Sequence, residues 1–202
     1  LEPSQARALW LAFAGAPVAE SGRYFRLLLA SGMRRGEASA LRVRDFERDR
    51  ARLVLRATKS GRDHVVYLAP PVLALLEEQA AAIAPSKRTA PRPAALLFPG
   101  CGDPRKTLEA AARAIGATFS AHDLRKAFAL CAIEAGIAWP LIKTMLNHSL
   151  GAAGDVTLKH YAHASEAQLR EAWARVAAFL VREAAPEVAA PPEVAATAEG
   201  SA

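Results

Sequence analysis

Cysteine is nearly absent from the 202 residues: there are two, Cys101 and Cys131, in unrelated contexts. So few give neither a disulfide framework nor the spacing of a metal-ligand set. No apolar run approaches the roughly 20 residues that cross a bilayer. The first residues also lack the basic, apolar and small-residue succession of a signal peptide. The expectation is a soluble, cytoplasmic protein without a membrane partner. Acidic residues are scarce where bases are dense. Between Arg23 and Arg62 twelve Arg or Lys residues stand against four acids, within a net charge of +6. That is the footprint of a polyanion binder, or else the solvated face of an arginine-rich protein, and charge alone does not choose.

Just over half the residues are apolar, enough for one domain with a substantial core. Apolar periodicity predicts helices over 4–14 and 23–30, the second stopped by Gly32. A third is expected from Arg35 through Ala38 and Leu41 to about Val43. Two runs rich in branched residues follow, Leu53-Val54-Leu55 and His64-Val65-Val66-Tyr67-Leu68. The polar Thr58-Lys59-Ser60-Gly61-Arg62 between them completes a hairpin signature. Pro70 and Pro71 open a further helix. Residues 85–104 read as a proline-rich loop around Leu96-Leu97-Phe98. Helices return at 105–115, 123–135 and 139–146, and an amphipathic one at 165–182 carries Leu169, Trp173, Val176 and Leu180 on one face. Residues 183–202 repeat Pro-Glu-Val-Ala-Ala and hold four acids and no base, an acidic Pro/Ala-rich tail expected to be disordered. The fold class is therefore mainly α with a small antiparallel β-sheet (α+β).

Four segments carry potential chemistry. They are Gly32-Met33-Arg34-Arg35-Gly36-Glu37, the hairpin turn with Lys59, His122-Asp123-Leu124-Arg125 at a helix start, and Leu146-Asn147-His148 followed thirteen residues later by Tyr161. Each has an ordinary structural reading when taken alone. Arg34 and Lys59 would be solvated surface cations, and His122 and Arg125 would share a helix face. His148 would be a structural histidine, and Tyr161 would close off the core.

In this order the segments resemble the tyrosine recombinase (phage integrase) catalytic domain. Its pattern runs Arg, Lys in a β-hairpin, His-x-x-Arg, His or Trp, then Tyr, and here it covers roughly residues 1–182. The resemblance implies the recombinase catalytic-domain fold and a DNA strand transferase that cuts and rejoins duplex DNA through a 3′-phosphotyrosine on Tyr161. No metal, ATP or other cofactor is implied. Arg34 and Arg125 would grip two non-bridging phosphate oxygens, which suits a planar guanidinium that stays charged, and His148 would add a donor. Lys59 would protonate the leaving 5′-oxygen, and His122 would take or position the Tyr161 proton. Glu37, one turn beyond Arg34, reads as a brace. Arg35, Arg62 and Lys126 are expected to bind DNA.

The interval from His148 to Tyr161 is long for the family and resembles that of prophage and genomic-island integrases. Its small residues predict a tyrosine segment that is retracted until DNA binds. His160 and His163 compete with His148 for a role beside Tyr161. The helix at 165–182 has two readings: it packs on its own domain, or it docks onto a neighbouring protomer of a recombining tetramer. The domain expectation is a catalytic domain over 1–182, with the family's N-terminal core-binding domain lying outside this sequence. Three alternatives stand beside the recombinase: a type IB topoisomerase-like strand transferase, a non-catalytic recombinase-derived DNA-binding module, and a metal hydrolase using His122, His148, His160 and His163. The last lacks paired i, i+4 ligands with a nearby acid.

Overall fold

A computed structural model describes residues 1–56, 63–85, 90–101, 104–148 and 164–182. Helix α1 (Pro3–Ala14) has proline in its first turn and turns Ala6, Leu9, Trp10 and Phe13 inward, the spacing of one helical face. Helix α2 (Ala19–Ser31) crosses it closely. A Cβ added to Gly22 would lie 2.2 Å from the carbonyl oxygen of Phe13, so this approach requires glycine. Residues 19–22 carry no apolar period, which is why the helix starts earlier than the Arg23 expected from the pattern. Most of α2 is buried, and α1, α4 (Pro70–Ala82), α6 (Ala121–Glu134) and α8 (Glu166–Val181) surround it.

Helix α3 (Arg35–Ser39) is a single turn and does not reach the expected Leu41 and Val43. The backbone there pairs instead with the proline-rich segment. The N–H of Val43 donates to the Ala95 carbonyl at 3.0 Å, that of Arg44 to Pro93 at 2.9 Å, and that of Leu97 to Leu41 at 2.8 Å. The carboxylate of Asp45 accepts the Arg42 N–H at 2.9 Å and closes a short 3₁₀ turn, Val43–Asp45. These long-range bonds outcompete the continuation of a marginal helix.

The sheet is antiparallel in the order β1 (Phe46–Glu47), β2 (Arg52–Leu55), β3 (His64–Tyr67). The hairpin of β2 and β3 is the one predicted. Strand β1 is an addition to the expected elements, because two residues are too few to show a period. Leu55 lies opposite His64, and the turn holding Lys59 and Arg62 lies outside the described residues.

Among the described residues the remaining helices are α5 (Arg105–Ile115), α6, α7 (Trp139–Met145) and α8. The mainly helical domain with one small sheet matches the expected class. Among the described residues the largest fully buried side chains are Trp173, Tyr24, Phe13, Phe25 and Phe128, and each phenylalanine adds about 1.5–3 kcal/mol by burial. Helix α8 packs on α1, α2 and α6 with Trp173, Val176 and Leu180 buried. Its apolar face is thus occupied within its own domain. Docking onto a neighbouring protomer would have to use its outer face or its release. The acidic tail and the segment 149–163 lie outside the described residues. Among the described residues no helix is long and apolar enough to cross a membrane.

Candidate active site

The site forms where three chain segments converge on the second turn of α6. That helix is started by Ser120, whose N–H and hydroxyl both donate to the Asp123 carboxylate at 2.9 and 2.7 Å. Lys126 adds an ion pair to Asp123 at 2.9 Å. These three groups hold the Asp123 carboxyl far below its ordinary value. The fixed helix start sets the direction of Arg125, which is 7% exposed.

Arg125 is embedded by backbone carbonyls. One terminal nitrogen donates to the Gly32 carbonyl and the other to Leu146, each at 2.5 Å. A guanidinium has five N–H donors, so three are not used by these bonds. Burial pushes the guanidinium down to about 10, Arg34 adds to that, and Glu37 opposes it. It therefore stays charged at neutral pH.

Gly32 ends α2 in the left-handed conformation, φ 68°, and a Cβ there would come within 2.5 Å of the Phe128 ring on α6. Glycine thus brings the 32–34 loop onto α6. Two residues on, Arg34 caps α3. Glu37 grips it twice, accepting its backbone N–H at 2.8 Å and its guanidinium at 2.9 Å. Arg34 remains 41% exposed while Glu37 is 17% exposed, so the acid braces from behind and the arginine faces out.

His148 follows the end of α7. Leu146 caps the helix and Asn147 adopts φ 49°, a conformation that asparagine tolerates. The Asn147 N–H donates to Thr144 and the His148 N–H to Lys143, both at 3.0 Å, which is the closure of a Schellman motif. His148 is exposed. Its imidazole is lowered from the ordinary value by partial burial, then by Arg125, Arg34 and Lys143. The two arginines and His148 therefore share one electrostatic neighbourhood. His122 stands exposed one turn before Arg125 on α6, with no hydrogen bond to a described residue.

A cleft of about 530 Å³ opens beside Arg34. Arg34, Arg42, Arg44 and Arg56 line it, with Glu37 and Asp45 as its acids among the described residues. Both acids are engaged, Asp45 by Arg56 at 3.5 Å. The cleft is a positive trough.

Arg34, Glu37, Arg125 and His148 are thus brought together, with His122 adjacent in the chain. Arg35 is exposed at the start of α3 and Lys126 is held by Asp123. Lys59, Arg62, Tyr161, His160 and His163 lie outside the described residues. Sequence reasoning missed His64. Its ring Nε2 lies 3.0 Å from the Met145 carbonyl, and it interacts with Glu37, Arg125 and Arg34. One signal existed: His64 shares a strand face with Val66, which is buried, and a histidine there is out of pattern. Arg42, Arg44 and Arg56 stand out in the sequence only as members of a basic stretch.

A family model described as the phage integrase family matches residues 1–168, and the chain belongs to that family, the tyrosine recombinases. The fold agrees with solved members. The crystal structure of XerA recombinase is 20% identical with TM-score 0.59, over 85% of this chain and 62% of that one. The integrase from mycobacterium phage Brujita is 21% identical with TM-score 0.59, over 87% and 57%. XerH site-specific recombinase bound to difH substrate, a pre-cleavage complex, is 22% identical with TM-score 0.55, over 85% and 52%. The chain thus spans between about half and three-fifths of the length of these structures. Comparison with curated proteins gives no match.

Proposed function

We propose that this domain is the catalytic part of a site-specific DNA recombinase, an integrase that transfers strands through Tyr161. The observation that carries the reading is the convergence of Arg34, Arg125 and His148 beside an arginine-lined cleft. Two guanidinium groups and an imidazole in one electrostatic neighbourhood suit the crowded phosphorus of a phosphodiester under attack, and preorganised donors contribute roughly 3–4 kcal/mol each. The family membership supports reading Tyr161 as the nucleophile, and XerH, a related fold, is solved on its difH substrate.

In this reading Arg34 and Arg125 hold the two non-bridging oxygens of the scissile phosphate, and His148 donates a third bond. The Tyr161 phenol loses its proton to His122 and attacks phosphorus. The phosphorus–O5′ bond breaks as Lys59 gives a proton to the leaving oxygen. A 3′-phosphotyrosine and a free 5′-hydroxyl result. Rejoining runs the same steps backwards, so the bond energy is kept and ATP is not consumed. The cleft arginines would follow the duplex backbone. Self-association on DNA into a tetramer belongs to the same reading.

The test is a denaturation-resistant protein–DNA adduct on nicked duplexes that shed the short strand after cleavage. Wild type should trap in the presence of chelator, and Tyr161→Phe should not. Equal DNA behaviour of the two proteins, with no adduct from either, would sink the reading.

A further inference from the structure

We propose that His64 is a positioning residue for strand transfer, holding the α7 terminus so that His148 meets the phosphate that Arg125 and Arg34 bind. The proposal rests on the strand-transfer reading above and goes beyond it to a residue outside the family's six.

The geometry is a two-sided grip on consecutive peptide units. From the sheet, the His64 ring reaches the Met145 carbonyl at 3.0 Å. From α6, the Arg125 guanidinium reaches the next carbonyl, Leu146. A carbonyl only accepts, so Nε2 carries the proton and donates. Two residues beyond this grip the chain has turned through Asn147 and presents His148. A helix end normally frays, because its last carbonyls lack partners. Here two of them are held by side chains from separate parts of the fold, which fixes the position and heading of Asn147 and His148.

His64 is itself fixed. Its ring lies 6.4 Å from that of Trp173 on α8, a residue whose indole N–H points to the Ser31 carbonyl at 3.5 Å. Ser31 is the last residue of α2, immediately before the loop that carries Gly32 and Arg34. One aromatic side chain thus backs both the histidine and the arginine loop. Leu55, opposite His64 in the hairpin, is buried, and a buried face specifies the register that places the histidine. Burial favours the neutral ring, in keeping with Arg34 and Arg125 nearby, while Glu37 and the Met145 carbonyl oppose that. A neutral donor adds no further positive charge where a phosphate is to bind.

The experiment uses the full chain and three substitutions. His64→Gln places an amide nitrogen where Nε2 stood. His64→Asn carries the same amide one methylene short, and His64→Leu fills the space without a donor. Single-turnover adduct formation on nicked duplexes is measured for each, alone and with His148→Ala. The proposal expects His64→Gln to stay within about threefold of wild type, and Asn and Leu to slow by roughly 10- to 100-fold, the usual cost of a misplaced group. It also expects little further loss when Asn or Leu is added to His148→Ala, since residues acting through one another are not additive. The His148 ring signal in the NMR spectrum of the DNA-free protein should move in His64→Asn and not in His64→Gln. Should His64→Leu fail to fold, the Gln and Asn pair still decides. A Gln variant as slow as Asn, all variants at wild-type rate, or losses additive with His148→Ala would overturn it. An inactive wild type would instead defeat the strand-transfer reading. The His148 signal then decides alone, and one that His64→Asn leaves unmoved overturns the positioning role as well.

Discussion

Arg125 donates to the carbonyl of Gly32, 93 residues before it in the chain. The guanidinium proposed to bind a phosphate therefore also fastens the loop that carries Arg34. Gly32 permits this by its left-handed backbone and by the absence of a Cβ against Phe128 and Leu146. Gly32→Ala meets both obstacles. The backbone strain alone costs about 1–3 kcal/mol, and the contact adds to it. Thermal unfolding should show the loss, and adduct formation should fall further than stability does, because the loop retreats from Arg125. An alanine variant with wild-type melting and rate would contradict this account of the loop.

Arg34 and Arg125 should separate catalysis from folding. Arg34 is half exposed and its one described ion pair is with Glu37, so Arg34→Ala should cost less than about 1 kcal/mol of stability. Its effect on strand cleavage should nonetheless be about 100-fold or more. Arg125 is buried and holds two carbonyls. Arg125→Ala leaves both unsatisfied, at roughly 1–3 kcal/mol each, and should damage folding and cleavage together. Arg125→Lys does not rescue it, since an ammonium lacks the fork that spans both carbonyls. Denaturant unfolding beside single-turnover rates distinguishes these patterns.

The sequence made the helices and the hairpin legible because their faces follow 3.6- and 2-residue periods, as in α1 and β3. The candidate site was legible as an ordered set of residue types, of which Arg34, Glu37, Arg125 and His148 share one electrostatic neighbourhood. What escaped was long-range. The one-turn α3 is set by hydrogen bonds from 41–44 to 93–97, and no local pattern encodes a pairing across fifty residues. His64 escaped for the same reason: its partner is Met145, 81 residues on, and within its strand it looks like one polar residue in an apolar run. The packing of α8 on its own domain is not written in its sequence, because an apolar stripe states that a face is covered, not by what.

Acid should weaken the fold in two steps. His64 is held below its ordinary value mainly by burial, so the unfolded chain binds a proton that the folded chain refuses. Its contribution is intact above the unfolded value of about 6.5 and declines as pH falls toward the folded value. Asp123 is also depressed, by Lys126 and the Ser120 hydroxyl and N–H. Its contribution is intact above about pH 4 and declines only below that. His64→Gln should flatten the dependence of melting temperature on pH between about 7 and 5.5, and Asp123→Asn should flatten it below 4. An unchanged upper slope in His64→Gln would show that burying the neutral ring contributes nothing there.

Arg44 tests whether the cleft beside the site tracks a phosphate backbone. It is exposed and lines the cleft, and only its backbone is tied to the proline-rich segment. Arg44→Ala should leave unfolding within about 0.5 kcal/mol of wild type, the usual range for a surface change. Each phosphate contact releases condensed counterions, so binding to duplex DNA falls with salt at a slope set by the number of such contacts. Losing one should reduce that slope by about 1 and weaken binding to all duplexes alike, without changing their ranking. The measurement is a salt titration of affinity for two unrelated duplexes. A slope equal to wild type would place the backbone elsewhere on the domain, and a loss confined to one duplex would make Arg44 a reader of sequence instead.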